Sequence, residues 1–362
     1  MKDPKPMDGL SDYIQWLGDY PFSAVPFQDV DAVILCLLSY CDYTPLFERS
    51  DTAALRDCQR MIDADAVRIQ RIGAVEPFMQ ILKAAVASRR FGELQMSGFV
   101  DIMIPEEAIQ FAALTFQSEA GWAFIAYRGT DSTLAGWKED FMISFKRTQA
   151  QELARQYAEN RIDSEKAWYI GGHSKGGNLA LYATCMLPEG MRASVRRMYV
   201  LDGPGICPEV VDPATVDRVQ SLATCIVPGF SIIGKLFDPH IHDTHVVQSS
   251  ASALDQHDPA TWGVDHGKLA ELEANDPHST FINKILGRWI GDLPLADREA
   301  FVTDLFDALG ASGAQTVEEL MAQGYKGYEA MSNRLRDSSD TSKRVLKDLS
   351  HQALEVIRET LM

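Results

Sequence analysis

Ser174 is the residue in this sequence whose setting is best suited to nucleophilic chemistry. It lies in GGHSKGGNLA, where Gly172, Ser174 and Gly176 form the pattern G-x-S-x-G. The apolar run AWYI precedes the pattern and NLALYA follows it, a strand–turn–helix context typical of a nucleophilic serine. Glycine is needed on both sides because larger side chains would collide with the strand and the helix. We therefore predict that Ser174 exposes its hydroxyl on a sharp turn above the carboxyl ends of the strands.

A serine hydroxyl is a weak nucleophile without a general base and a group that orients the base. Where a serine occupies this kind of turn, the chain order is serine, acid, histidine. The strand candidate THVVQSS is followed by the loop ALDQHDPATW, which contains His257. We predict His257 as the base, with His266 and His242 as the alternatives.

Two aspartates are candidates for the acid. Asp202 ends the strand candidate MYVL and begins the turn DGPG, beside the strand of the nucleophile. Asp238, in GKLFDPH, lies after the next strand candidate, while FSIIG, directly after CIVPG, contains no carboxylate. We predict Asp202 as the acid and keep Asp238 as the alternative acid.

The oxyanion that forms during acyl transfer needs two hydrogen-bond donors. One is the backbone amide of Lys175, which follows the nucleophile at the start of a predicted helix with a favourable dipole. The second is expected in the loop after an earlier strand, in AYRGTDST. We predict that Thr130 supplies this second amide.

A metal or nucleotide site is not favoured by the sequence. The stretch HIHDTH holds three histidines and an aspartate, but ligands crowded on one short stretch rarely complete a tetrahedral zinc site. Neither G-x-x-x-x-G-K-[ST] nor G-x-G-x-x-G stands in a suitable place for phosphate binding. We expect no metal and no cofactor.

Composition narrows the classes of partner. The 362 residues carry a formal net charge of −17, which argues against nucleic acid because a phosphate backbone needs a basic surface. The run VDAVILCLLSY is too short to span a bilayer, and the first residues lack an apolar segment of signal-peptide length. Six cysteines without a C-x-x-C pair are expected to be buried free thiols. We expect a soluble cytoplasmic protein with no integral membrane segment.

The elements that must position these residues follow an α/β pattern. QFAALTF and WAFIAYRG predict a hairpin, and strand candidates then alternate with helix candidates up to THVVQSS. This alternation predicts a mostly parallel central sheet flanked by helices. The first hundred residues and the tail have helical periodicity. We predict a catalytic domain over residues 1–290, including a helical N-terminal region, and a helical C-terminal extension over 291–362.

The blocks YRGTDSTLAGWKED and GGHSKGGNLALYA resemble the signature blocks of class 3 lipases, in the α/β-hydrolase superfamily. Together with LDGPG, VPGFSIIGKL and QHDPATW, they are more similar still to the bacterial Mbeg-like family, whose function is unknown. The resemblance implies an α/β-hydrolase fold with Ser174 as nucleophile and His257 as base. Two departures from lipases stand out. Lys175 replaces the usual leucine, which predicts a cation near the cleft, and the acid expected after IVPGF is absent.

These observations favour a serine hydrolase that cleaves carboxylic esters of a lipid or small acyl compound through an acyl-enzyme on Ser174. Thioesterases, amidases and acyltransferases use the same groups. The alternative is a catalytically inactive α/β-hydrolase-like module that binds a lipid or a protein partner.

Overall fold

The structure is a computed structural model of the chain. It describes residues 8–347, with gaps at 71–72, 105–108, 131–133, 144, 236, 238–240, 278, 281–293, 315–318, 320–321, 341 and 345–346.

An eight-stranded sheet forms the centre of the described structure. Its strands are β2 (Thr52–Ala54), β3 (Gln95–Ile104), β4 (Ile109–Ser118), β5 (Trp122–Tyr127), β6 (Ala167–His173), β7 (Val195–Leu201), β8 (Ala223–Pro228) and β9 (Thr244–Val247). They lie side by side in chain order. Pairing is antiparallel from β2 to β5 and parallel from β5 to β9, so the parallel part holds the larger share of the strands. A small second sheet joins β1 (Asp8–Gly9), β10 (Gly263–Asp265) and β11 (Lys268–Leu269).

The described helices cover both faces of the sheet. They are α1 (Leu10–Leu17), α2 (Asp29–Leu38), α3 (Thr44–Phe47), α4 (Gln59–Asp63), α5 (Val75–Ala87), α6 (Arg89–Gly92), α7 (Leu134–Ile143), α8 (Gln149–Arg161), α9 (Lys175–Met186), α10 (Glu189–Arg192), α11 (Pro213–Asp217), α12 (Leu295–Leu309) and α13 (Tyr325–Arg336). This arrangement is the predicted α/β-hydrolase-like fold, with helical N- and C-terminal parts.

The sequential strand order explains which helices cover which face. Right-handed crossovers between successive neighbouring parallel strands all pass over one face of a sheet. On that face α8 and α9 pack against Ala123, Ile125 and Tyr127 of β5. The alternate residues of β5 point the other way, where they join a core built with α1, α2 and α5. The N-terminal helices therefore cover a face that the crossovers leave open.

Most predicted elements are confirmed, but β2 and β3 of the main sheet and the short strands of the second sheet were missed. The hairpin of β4 and β5 and the strands β6 to β9 lie where the sequence predicts them. Strand β3, in the part of the chain predicted to be helical, pairs with β4 along most of its length. All six cysteines are buried thiols, as expected. The predicted domain boundary at residue 290 lies outside the described residues.

Among the residues that the structure describes, no helix has the length and apolar character needed to cross a membrane.

Candidate active site

Ser174 lies on a sharp turn between β6 and α9. Its φ of 58° and ψ of −128° are rarely adopted by a residue with a side chain, so packing must hold this backbone in place. The glycines make that packing possible. A Cβ on Gly172 would lie 2.2 Å from the carbonyl of Gly176, and one on Gly176 would lie 2.2 Å from the Tyr127 carbonyl oxygen. Gly172–Gly176, called the elbow below, therefore forms the sharp turn that the sequence predicts. The predicted exposure of the hydroxyl is wrong, because Ser174 is only 3% exposed and lines a small cavity instead of the open surface.

Three predicted site residues form a continuous chain of hydrogen bonds. The Oγ atom of Ser174 lies 3.0 Å from Nε2 of His257. On the other side of the ring, Nδ1 of His257 lies 2.6 Å from Oδ2 of Asp202. The carboxylate is an acceptor, so Nδ1 carries the proton and Nε2 of the neutral ring is free to accept from the serine hydroxyl. This is the protonation state that a general base for Ser174 requires.

Asp202 is held on a strained turn directly after β7. Its φ is 43°, and its side chain is almost completely buried. The other carboxylate oxygen, Oδ1, accepts hydrogen bonds from the Ser231 hydroxyl and the Gly234 amide. These two donors belong to the FSIIG stretch, where lipases usually have their acid. The FSIIG stretch, which follows β8, thus donates hydrogen bonds to the carboxylate of Asp202, which follows the neighbouring strand β7.

His257 ends a short 3₁₀ turn, Ala253–His257, that follows β9. The alternative bases do not approach Ser174. The side chain of His266 is 94% exposed and contacts Asp265, and His242 is exposed as well. The alternative acid, Asp238, lies outside the described residues.

The predicted oxyanion donors flank Ser174. Lys175 is the first residue of α9, and amides in the first turn of a helix have no acceptor within their own helix. Thr130 is buried and lies near Ser174. Both Thr130 and Ser174 line a small cavity, together with Leu37, Tyr40, His173, His257 and Pro259. A carbonyl oxygen bound in this cavity would have Thr130 and Ser174 in its wall.

The Lys175 side chain does not place a cation in this cavity, so that prediction is wrong. Its ammonium is buried and lies 2.8 Å from Oε2 of Glu139, in α7. It also donates to the Gln110 carbonyl oxygen at 2.9 Å. The Lys175 ammonium is paired with Glu139, and Lys175 does not line the cavity beside Ser174.

Sequence analysis missed two residues of the site, His173 and Tyr40. The Nδ1 atom of His173 lies 2.8 Å from the Tyr40 hydroxyl, and its Nε2 lies 2.7 Å from the backbone carbonyl oxygen of His257. His173 directly precedes Ser174, and this position in the sequence could have indicated that His173 belongs to the site. Tyr40 lies 133 residues earlier in the chain and gives no such signal.

The described residues contain no group of three or more histidine, cysteine or acidic side chains placed to hold a metal ion. Within the HIHDTH stretch, the His245 ring contacts Asp243 and, from outside the stretch, Glu271.

Comparison with known proteins places the chain in a family and shows a likeness to solved structures. No curated protein matches the chain. Among solved structures, the fold is similar to the crystal structure of M37 lipase, with 17% identity and a TM-score of 0.33. That match covers 46% of this chain, and the chain spans only 64% of the lipase chain. Residues 85–307, more than half of the sequence, match the Mbeg1-like family. The chain belongs to the Mbeg1-like family.

Proposed function

We propose that the protein is a serine hydrolase that cleaves carboxylic esters through an acyl-enzyme on Ser174. The observation that carries the proposal is the hydrogen-bond chain from Asp202 through His257 to the Ser174 hydroxyl. Acid, base and nucleophile come from separate loops after β7, β9 and β6. A chance histidine–carboxylate pair would not require a strained serine backbone beside it, whereas a nucleophile that must project from a turn into the cavity beside its base does.

The acylation step follows from these distances. His257 Nε2 accepts the proton of the Ser174 hydroxyl as Oγ attacks the ester carbonyl carbon. Asp202 accepts a hydrogen bond from Nδ1–H and stabilises the imidazolium that forms. The amides of Thr130 and Lys175 donate to the oxyanion. The imidazolium then protonates the leaving alcohol, and the ester bond breaks to leave the acyl group on Ser174.

Deacylation uses the same groups in the reverse sense. Water takes the place of the alcohol and gives a proton to His257 as its oxygen attacks the acyl carbon. The tetrahedral intermediate formed in this step collapses by breaking the bond between the acyl carbon and Ser174 Oγ. His257 returns the proton to Oγ, and the carboxylic acid leaves. The buried Lys175–Glu139 pair keeps a free cation out of the cavity wall, which favours an uncharged acyl group there.

Labelling by a fluorophosphonate probe tests the proposal. The native protein should be labelled, and Ser174→Ala should abolish the label. Ser250→Ala, which changes an exposed serine away from the elbow, is the matched control and should be labelled like the native protein. Absence of label on folded native protein would contradict the proposal and favour the inactive binding module.

A substrate panel then identifies the bond that is cleaved. The p-nitrophenyl esters of rising acyl length should be hydrolysed, and the corresponding thioester and anilide of the best acyl group should be compared at equal concentration. The ester should have the highest kcat/KM of the three. A higher value for the thioester or the anilide would assign the protein to that class instead.

A further inference from the structure

We propose that His173 is a positioning residue that sets the distance between the base and the nucleophile by holding the backbone of His257. Tyr40 fixes the His173 ring for this role. The inference rests on the proposed hydrolase function, because it concerns the same reaction.

The direction of each hydrogen bond follows from the chemistry of the partners. A backbone carbonyl oxygen can only accept, so His173 Nε2 must donate its proton to the His257 carbonyl, 2.7 Å away. In the neutral ring the other nitrogen, Nδ1, then has no proton and accepts from the Tyr40 hydroxyl at 2.8 Å. Tyr40 therefore selects the tautomer of His173 that can hold His257.

The base needs such support because of where it lies. His257 ends a short 3₁₀ turn in which Ala253 has a φ of 49°, and this turn lies far along the chain from Ser174. Asp202 fixes the direction of the imidazole through Nδ1 but does not hold the backbone. His173 directly precedes Ser174 in the chain. Its hydrogen bond to the His257 carbonyl oxygen therefore connects the backbone of the base to the backbone of the nucleophile. The two imidazole rings also pack together, with centroids 4.5 Å apart.

Tyr40 links the same unit to the loop of Thr130. A Cβ on Gly129 would lie 2.2 Å from the Tyr40 hydroxyl and 2.5 Å from the His173 carbonyl oxygen. The hydroxyl is therefore packed between the elbow and the residue that precedes Thr130. Tyr40 is 2% exposed, so its hydroxyl lies in the packed interior at this junction. Base, nucleophile and predicted oxyanion loop all meet at this pair of side chains.

Two amide substitutions separate positioning from mere packing. Gln has its side-chain nitrogen the same number of bonds from Cα as the Nε2 of histidine, so His173→Gln keeps a donor for the His257 carbonyl. Asn has its nitrogen at the reach of Nδ1, so His173→Asn loses this donor. We expect His173→Asn to lower kcat by roughly 10- to 100-fold with KM changed by less than about twofold, since small displacements of a catalytic group have effects of this size. We expect His173→Gln to recover most of that loss.

Tyr40→Phe tests the tautomer. It removes the hydrogen bond to Nδ1 without removing the ring, and we expect a smaller decrease in kcat, roughly three- to tenfold. The Nδ1–H proton resonance of His257, which reports its bond to Asp202, should broaden in His173→Asn and stay sharp in His173→Gln. If His173 acted only by filling space, His173→Asn and His173→Gln would not differ in this resonance.

The outcomes are distinct. If folded His173→Asn has the kcat of the native protein, or if Gln and Asn lower kcat equally at equal thermal stability, the positioning role is overturned. If the native protein itself is neither labelled by a fluorophosphonate nor active on any ester, the hydrolase proposal fails first and this inference fails with it. Recovery by Gln, together with the resonance difference, supports the inference.

Discussion

Among the described residues near the main sheet, His257 and His245 each contact a carboxylate and so form a histidine–carboxylate cluster, and the His257 ring also faces the hydroxyl of Ser174. His257 contacts a single carboxylate, that of Asp202, and their side chains are 12% and 1% exposed. His245, the second residue of β9, contacts two carboxylates, Asp243 and Glu271. Its side chain is 30% exposed, and Glu271 is more exposed still. The two clusters therefore hold the same functional groups in different numbers and at different depths.

The difference shows what a catalytic base needs beyond a carboxylate. In the His257 cluster one ring nitrogen faces an acid, which leaves the other to face Ser174. In the His245 cluster both ring nitrogens face carboxylates, so both are occupied when the ring is charged. Burial lowers the pKa of His245, but the bonds to Glu271 and Asp243 outweigh burial and raise it. Because both nitrogens of the His245 ring face carboxylates, neither is placed to accept a proton from a serine hydroxyl.

The largest expected effect is the contrast between alanine substitutions of the two histidines. We expect His257→Ala to lower kcat/KM for an ester substrate by roughly 10⁴-fold or more, because the nucleophile loses its base. His245→Ala should change it by less than about twofold, since the ring does not contact the reacting groups. Initial-rate measurements on both proteins check this. Equal losses of kcat/KM in the two variants would mean that the burial and the number of carboxylates around each histidine do not determine its role.

Asp202→Asn sharpens the comparison at the carboxylate. Ser231 and Gly234 donate to Oδ1, so the amide oxygen should occupy that position and the amide nitrogen should face His257. His257 would then carry its proton on Nε2 and could not accept from Ser174. We expect kcat to fall by about 10⁴-fold with the fold retained. Steady-state kinetics and circular dichroism check this. The matched variant Asp243→Asn should keep native kcat, and a loss below tenfold for Asp202→Asn would contradict the assignment of the acid.

Lys175→Met extends the comparison from hydrogen bonds to buried charge. It leaves Glu139 buried without its cation, and breaking a buried pair typically costs about 3–5 kcal/mol of unfolding free energy. Urea unfolding measures this loss. Adding Glu139→Leu should restore most of it. The exposed pair of Arg56 and Glu93 is the reference, since Arg56→Met should cost no more than about 1 kcal/mol. A similar cost for both pairs would contradict the burial argument.

The smallest expected effect is a pH-dependent contribution of His245 to stability. Its folded pKa is raised, so its contribution is complete below the unfolded pKa of about 6.5 and is lost as pH rises through the folded value. Although burial raises the pKa of Asp243, bonds from Thr224 and His245 and the charge of Arg197 outweigh it and lower that pKa, so the partner stays ionised in mild acid.

We therefore expect the difference in melting temperature between the native protein and His245→Gln to be larger near about pH 5.5 than near about pH 8.5. Thermal unfolding at both pH values checks this. A difference that is constant with pH would show that the ring acts by packing alone.

Much of the parallel sheet and the elbow could be predicted because their signals are local. Glycine spacing identified Ser174, and strand order identified the loops of Asp202 and His257. The strand β3 was missed because QMSGFVDIMI lacks a regular alternation and contains a bulge between Ser97 and Val100. The partners Tyr40, Glu139 and Ser231 could not be predicted, because each depends on how distant elements pack and not on spacing in the chain.

The N-terminal helices have a consequence for how this protein can be shortened. The family match begins at residue 85, yet α1, α2 and most of α5 precede it and supply much of the core on one face of the sheet. Tyr40 comes from this same stretch. A fragment trimmed to 85–307 would expose a broad apolar surface to water and should aggregate on expression, whatever its sequence likeness to relatives. We therefore expect the unit that folds to extend N-terminally beyond the region that matches the family.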